Sequence, residues 1–533
     1  MIDLLSFTEP SIYILLSLVV LGIIYTFKKW PYNYLKQFGY PGPKPSFPWG
    51  SLKEVRSKGK FAIDAEWMNK YGDVVGFYLG RQPALLIGDP EMLEQIMVKQ
   101  FHNFTNRYKI VPIDGLSKKM ILNAKNEHWK FLRTMLSPNF SAKKLKEMQP
   151  LVRAAADNLE KTCDKFEKTG EDMDVNRLFG CFTMDVIATT AFGVEVDSQK
   201  NPDNSFVRNA TYLVRRNRLA SVFLISFISR TFFKFLLYTR MLSTRSRRFF
   251  YDLCKKILAD RKQASGQVRQ DLLQMMIDQQ NDFTKEQPEK NAKNGDVKNG
   301  GANNGDIMNG DATNDDVPVP TKLIKRKLTD EEIIAQSTIF FLAGYETTAT
   351  ALSFMAYLLA LHQDIQDKVH EEIQSVIGKE TPDYNSIQKL TYLSQCLSET
   401  LRLYPIASSV LRKSKKQITI KDWIIPANIS INIPIYALHH SPKYWPDPEK
   451  FDPDRFSDEA QKTHTKFAYL PFGAGPRICI GLRLAQMEVK FAMIKILATY
   501  RFVPCEKTEN PIILNKQPLL SAKNGIWLKL ERR

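Results

Sequence analysis

The chain opens on an apolar run. Residues 12–27 (IYILLSLVVLGIIYTF) carry no charge and are followed by Lys28, Lys29 and Trp30. As a helix this run is a little short of the roughly 20 residues that span a bilayer, and snorkelling lysines and an interfacial tryptophan extend its reach. Asp3 and Glu9 before it and bulky residues after it disfavour a cleaved signal peptide, so the pattern predicts an uncleaved anchor over 1–30. Lys28, Lys29 and Lys36 follow the anchor, which by the positive-inside rule leaves the rest of the chain in the cytosol. Within 31–50, the stretch 40–48 (YPGPKPSFP) holds Pro41, Pro43, Pro45 and Pro48 and reads as a stiff extended hinge.

The main body, 51–533, mixes two periodicities. Strand-like runs occur at 74–79 (VVGFYL), 84–87 (ALLI), 418–420 and 429–433, while helical periodicity dominates from about 128 to 265 and again over 328–378. A loop leading into a helix occupies 471–500. The fold class is mainly α with a small β portion. The stretch 223–238 is crowded with Phe, Leu and Ile but interrupted by Arg230 and Lys234, and suits either a surface-dipping helix or a buried pair. Residues 281–325 stand apart: Asn-Gly pairs begin at 294, 299, 304 and 309, with almost no apolar side chains, and predict a disordered insertion.

Composition narrows the classes. A chain of 533 residues, 44% hydrophobic and 11% aromatic, buries a large core without disulfides. The six cysteines contain no C-x-x-C pair, which argues against zinc modules and for a reducing compartment. The net charge of +18 is spread along the chain, with no basic arm, finger or zipper. That disfavours nucleic acid and suits an acidic protein partner or an anionic membrane.

Five segments carry chemistry. The most informative is 471–481 (PFGAGPRICIG), a glycine-rich loop that runs through Cys479 into a helix. A helix N-terminus favours a thiolate, and Gly473 and Gly475 let backbone approach the sulfur. Such a thiolate suits one axial bond to haem iron. A structural cysteine, or a nucleophile with a distant His, explains a lone Cys as well; the whole run is more specific than that. Residues 339–350 (IFFLAGYETTAT) place Ala343, Gly344, Glu346 and Thr347 within an apolar helix. There a hydroxyl beside a carboxylate suits a proton relay, and a packed polar stripe is the competing reading. Glu399 and Arg402 share a helix face at i, i+3. Residues 448–456 (PEKFDPDRF) offer Arg455, and Trp129 with Arg133 share a face suited to a carboxylate.

These segments, in this order, resemble the motif set of the cytochrome P450 superfamily of haem-thiolate monooxygenases. Residues 343–348 (AGYETT), 133–138 (RTMLSP), 436–439 (YALH) and 442–445 (PKYW) resemble the microsomal clan of vertebrate drug- and steroid-oxidising and insect detoxifying enzymes. The resemblance covers nearly the whole chain apart from the Asn/Gly insertion. It implies a P450 fold with haem b between a long central helix and the Cys-bearing loop, over one domain, 51–533. It implies Cys479 as the iron ligand and Phe472 against the haem. Trp129, Arg133, Arg412, Arg477 and Arg107 would hold the propionates, and Glu346 and Thr347 would deliver protons to bound dioxygen beside Ala343 and Gly344. Glu399, Arg402 and Arg455 would form a structural ion-pair cluster. Where the family often has Glu before the last Arg, this chain has Asp454. It further implies a lipophilic substrate of steroid or xenobiotic type, electrons from NADPH through a flavoprotein reductase with cytochrome b5 as an auxiliary donor, and the endoplasmic reticulum membrane. Lys125, Lys130, Lys143, Lys144, Lys146, Arg483 and Lys490 are the candidate docking cations, against a plain solvated face. The rival functions are an isomerase or dehydratase acting on a lipid peroxide and a non-enzymatic lipophile carrier. The expected pocket walls lie near 107–124, 205–240, 343–348, 406–411 and 518–522.

Overall fold

The computed structural model describes residues 13–14, 16–22, 25, 30–47, 49–107, 115–215, 245–263, 271–285 and 326–533. The anchor, the aromatic stretch 223–238 and the Asn/Gly repeat lie wholly or largely outside the described residues. The described residues of the anchor are helical with exposed side chains, and among the described residues no helix is long and apolar enough to cross a membrane.

The helices that matter to the site are α1 (Lys60–Tyr71), α2 (Asn126–Leu136), α3 (Ala142–Thr169), α4 (Val175–Phe192), α5 (Ser205–Arg215), α6 (Arg245–Gln263), α7 (Leu272–Lys285), α8 (Asp330–Leu361), α9 (Gln363–Val376), α10 (Thr391–Leu403) and α11 (Leu482–Leu497). The strands are β1 (Val74–Leu79), β2 (Gln82–Ile87), β3 (Met173–Asp174), β4 (Val410–Lys413), β5 (Ile418–Ile420), β6 (Trp423–Ile425), β7 (Ser430–Ile433), β8 (Tyr500–Pro504) and β9 (Trp527–Arg532). β1 and β2 form an antiparallel hairpin. β2 then pairs in parallel with β7, and β7 antiparallel with β4, giving the order β1-β2-β7-β4. β3, β9 and β8 form a second sheet, and β5 with β6 a separate hairpin. The chain is mainly helical with a small β part, as its periodicities predict.

Two cores result. The larger is helical, with α8 through its middle; the smaller packs α1 and the 30–40 segment onto the four-stranded sheet. A helix apolar on every side has to be buried, and α8 is buried from Glu332 to Phe341, with one exception at Ile339, and again from Thr348 to Ala360. Its start is fixed by a reciprocal capping box. The Thr329 hydroxyl accepts from Glu332 N, and the Glu332 carboxylate accepts from Thr329 N. The same carboxylate accepts from Arg326 at 2.7 and 2.8 Å and from His128 of α2 at 2.8 Å. Arg326 also stacks on Phe131, 3.9 Å from the ring centre. This knot joins α2 to the start of α8.

On the other side of the core, the predicted Glu399–Arg402 pair is fully buried. Arg402 Nε and Nη2 donate to the two Glu399 oxygens at 2.7 and 2.8 Å. Its remaining protons go to the carbonyls of His439, Pro448 and Lys450. Arg455 completes the cluster, with Nε 3.4 Å from Glu399, and Asp452 N donates to the same carboxylate. One guanidinium therefore gathers α10, the His439 turn and the proline-punctuated loop.

Removing one member of such a cluster leaves a buried charge uncompensated, which costs roughly 3–5 kcal/mol. Arg402→Ala should therefore fail to accumulate as folded protein, or lose that much stability in urea unfolding. A second outcome concerns acid. Burial pushes the Glu332 carboxyl up, but the Arg326 and His128 hydrogen bonds outweigh it and hold the group well below its usual value. A depressed carboxyl contributes stability that is full above its unfolded pKa of about 4.3 and is lost as pH falls through the folded value. Unfolding midpoints measured from pH 6 down to pH 3 should accordingly drop more steeply in the parent than in Glu332→Gln.

Candidate active site

The cysteine loop is held by what lies beneath it. Gly473 and Gly475 have φ of 75° and 67°, the left-handed region that favours glycine. A Cβ at Gly475 would stand 2.0 Å from the Met97 carbonyl oxygen, so only glycine fits. Met97 belongs to a π turn, Gln95–Lys99, that continues the short helix after β2. Cys479 N donates to Phe472 O at 3.0 Å and closes the loop, and α11 starts three residues beyond Cys479. Burial pushes the Cys479 thiol up, opposed by the Gly481 N–H and by the charges of Arg133 and Arg107. A thiolate here thus needs a further cation at the sulfur, which a coordinated metal supplies. Cys479 nevertheless keeps accessible surface. The sulfur can therefore be reached by a ligand.

The middle of α8 shows the same anomaly. Between buried flanks, Ala343 is exposed and Gly344, Glu346 and Thr347 are half-buried, so this stretch too is accessible in the middle of a buried helix. Thr347 Oγ1 donates to the Ala343 carbonyl at 2.6 Å, the back-bond expected of a mid-helix threonine. Gly344 lies against Ile187 of α4; a Cβ would come within 2.7 Å of Ile187 Cδ1, so the tip of that side chain would have to shift.

The structure brings four of the predicted arginines together. Repulsion from Arg107, Arg133 and Arg412 all acts on Arg477. Burial is the larger influence, pulling Arg477 down to about 8, Arg412 to about 9 and Arg133 to about 10. Among the described residues no ion pair joins Arg107, Arg412 or Arg477, and the buried Nε atoms of Arg107 and Arg412 lack a hydrogen-bond partner. Arg133 donates to the Ile478 carbonyl at 3.0 Å, beside Cys479. Arg477 has a role its sequence position did not reveal. Its Nε, Nη1 and Nη2 donate to the carbonyls of Thr105, Ile121 and Ala124 at 3.0, 3.2 and 2.9 Å. Trp129 stacks on that guanidinium, 4.1 Å from it, with its ring edge-on to Phe101.

Of the expected pocket walls, 406–408 and 518–520 are joined: Leu520 N donates to Ile406 O at 2.8 Å and Ser408 N to Pro518 O at 3.2 Å. Just before the accessible stretch of α8, Phe341 is fully buried against Phe192, Phe206 and Phe250. Lys490 differs from expectation: it is buried and donates to Ile387 O, so it does not belong to an exposed basic face. Lys125, Lys143 and Lys146 are exposed, Lys144 pairs with Glu147, and Lys130 and Arg483 are half-buried.

These features suit a guest that offers anionic groups to Arg107 and Arg412 and a thiophilic cation to Cys479. A flat iron macrocycle with two carboxylates fits that donor set. The comparisons with known proteins agree. A family model described as cytochrome P450 matches residues 40–301 and 314–530. The chain is 37% identical to cytochrome P450 3A14 of Cavia porcellus over 530 residues, 98% of this chain and 97% of that one. It is 36% identical to cytochrome P450 3A13 of Mus musculus over 521 residues, covering 96% and 95%. It is 35% identical to lithocholate 6-beta-hydroxylase of Mesocricetus auratus over 533 residues, covering 98% and 97%. The interruption in the family match falls within the Asn/Gly repeat. A cysteine loop, a proton-bearing helix and a buried arginine cluster thus meet in a chain that belongs to the cytochrome P450 family, whose members bind haem through a cysteine thiolate.

Proposed function

We propose that this protein is a membrane-associated haem-thiolate monooxygenase that inserts one atom of dioxygen into a lipophilic substrate of steroid or xenobiotic type. The observation that carries this reading is that Cys479 and the Ala343–Thr347 stretch of α8 keep accessible surface between buried flanks in a chain of the cytochrome P450 family. An isomerase or a carrier has no need of the acid–threonine pair.

When bound, haem supplies the reductive activation of dioxygen, consuming two electrons and two protons, with one oxygen entering the substrate and the other leaving as water. The chain's own residues do the rest. Cys479 would give its thiolate to the haem iron, with Phe472 beside it. Arg107, Arg133 and Arg412 would take the propionates, with Arg477, stacked on Trp129, holding the Thr105, Ile121 and Ala124 carbonyls nearby. Thr347 Oγ1 holds a proton on the Ala343 carbonyl and hands it into the pocket by rotating away. Glu346 resupplies that hydroxyl from solvent. The described apolar walls bind the substrate and keep bulk water from the reacting carbon.

The partner reading follows from family and charge: an NADPH-dependent flavoprotein reductase, with cytochrome b5 as an auxiliary donor, docking on cations of the Lys125, Lys143 and Lys146 region. The location is the endoplasmic reticulum membrane, with 1–30 as the anchor and the catalytic body in the cytosol. The name lithocholate 6-beta-hydroxylase on one relative supports a sterol-like substrate.

The deciding experiment is the carbon monoxide difference spectrum of the dithionite-reduced protein. A strongly red-shifted Soret band, absent in Cys479→Ser, is expected; a histidine-type band from folded protein would falsify the thiolate reading. With reductase and NADPH, Thr347→Ala should raise peroxide released per NADPH roughly tenfold, less than the about 10²- to 10⁴-fold that a positioned acid or base contributes to a step, because Glu346 remains. Peroxide yield equal to the parent's would remove Thr347 from the relay.

A further inference from the structure

The proton-bearing stretch of α8 is held from outside its own helix. Thr183, in the middle of α4 and 1% exposed, points its hydroxyl across the helix interface at the Tyr345 carbonyl, 2.7 Å away. The carbonyls of its own helix, Phe179 and Gly180, stand further off at 3.0 and 3.2 Å. A hydroxyl has one proton to give, and the shortest contact takes the main share. Tyr345 is held at its other end too. Its phenol oxygen lies 3.3 Å from Thr211 Oγ1 on α5. The phenol lies over Gly180, within 3.5 Å of where a Cβ would stand, an ordinary packing distance. Gly344 supplies the close approach that lets Thr183 reach across, through its contact with Ile187 one turn further along α4.

In an unbroken helix the Tyr345 carbonyl belongs to the N–H of Ala349. A second donor on that oxygen weakens the helical bond and bends the helix locally. Thr347 Oγ1 does the same to the Ala343 carbonyl from within the helix. Carbonyls 343 and 345 therefore both carry hydroxyl protons, one supplied by α8 and one by α4. Glu346 and Thr347 are the two residues that follow the second of them.

We propose that Thr183 is a positioning residue for the monooxygenase reaction: by holding the Tyr345 carbonyl it sets the path of α8 at Glu346 and Thr347, and so the aim of both proton-carrying side chains. This rests on the monooxygenase reading above. It assigns part of the relay's geometry to a side chain on a neighbouring helix that touches neither substrate nor haem.

The test compares Thr183→Val and Thr183→Ser with the parent in the haem-loaded full chain. Valine keeps the volume and removes the hydroxyl; it strands no donor, because the Tyr345 carbonyl retains Ala349 N–H. Thr183→Val should raise peroxide released per NADPH about fivefold, the ratio set by one ordinary hydrogen bond. The substrate dissociation constant, read from the ferric spin-state shift, should not move, and Thr183→Ser should restore parental coupling. A second readout needs no turnover. Amide hydrogen exchange over 344–350 in the resting protein should slow in Thr183→Val, as the Tyr345–Ala349 bond tightens, and recover in Thr183→Ser. Parental coupling in Thr183→Val overturns the proposal whatever the exchange shows. Equal loss of coupling in Val and Ser also overturns it, since shape rather than the hydroxyl would then matter. Absence of any reductase-dependent turnover in the parent would strike the monooxygenase reading instead, and unchanged exchange in Thr183→Val would still refute the clamp.

Discussion

Guanidinium groups without an acid beside them are costly to bury, because water solvates them far better than protein does. Arg107, Arg412 and Arg477 nevertheless gather in one region, repel one another, and form no ion pair among the described residues. The fold contains the stress in two ways. Arg477 is solvated by protein, through three carbonyls and an indole face. Arg107 and Arg412 each keep a buried Nε donor without a partner among the described residues. The same region holds a thiol that burial pushes toward its neutral form. Positive charge lacking an anion and a sulfur lacking a cation are complementary defects, and a metal-bearing dianionic ring answers both at once.

The location follows from the two cores. Arg133 comes from α2 in the helical core, Arg412 from β4 in the sheet, and the Cys479 loop rests on Met97, which packs into the sheet's core. The site lies along the seam where these bodies meet. Seams are where a fold can leave an internal space without opening a void in either core. The Glu399–Arg402 knot and the Glu332–Arg326–His128 knot each tie separate segments together and keep the arrangement from sliding.

Legibility in the sequence tracked how local the physics was. The hairpin at 74–87, the helical stretches and the Glu399–Arg402 pair depend on near neighbours in the chain, and periodicity or i, i+3 spacing exposed them. The Cys479 loop was readable because glycine, proline and cysteine have few other uses in that arrangement. Lys490 was misread because a basic letter does not say which side of a helix meets the core. It buries its stem and reaches the Ile387 carbonyl, which no spacing rule announces. Arg477 carried an anion-binding expectation, yet its partners are carbonyls some 350 residues away. Backbone acceptors leave no trace in composition. Met97 was missed for a like reason: it serves by presenting a carbonyl from a π turn, and any residue type has a carbonyl.

The grip of Arg477 on Thr105, Ile121 and Ala124 has an evolutionary consequence. Thr105 precedes and Ile121 and Ala124 follow the intervening residues, so one guanidinium joins the two ends of that stretch. The grip is made on backbone carbonyls, so side chains of the stretch other than Arg107 can change without loosening it. Inherited variation can then accumulate where it alters which molecules enter, while the inorganic chemistry is passed on unchanged. One buried arginine in this way separates the part of the enzyme that selection can explore cheaply from the part it must preserve.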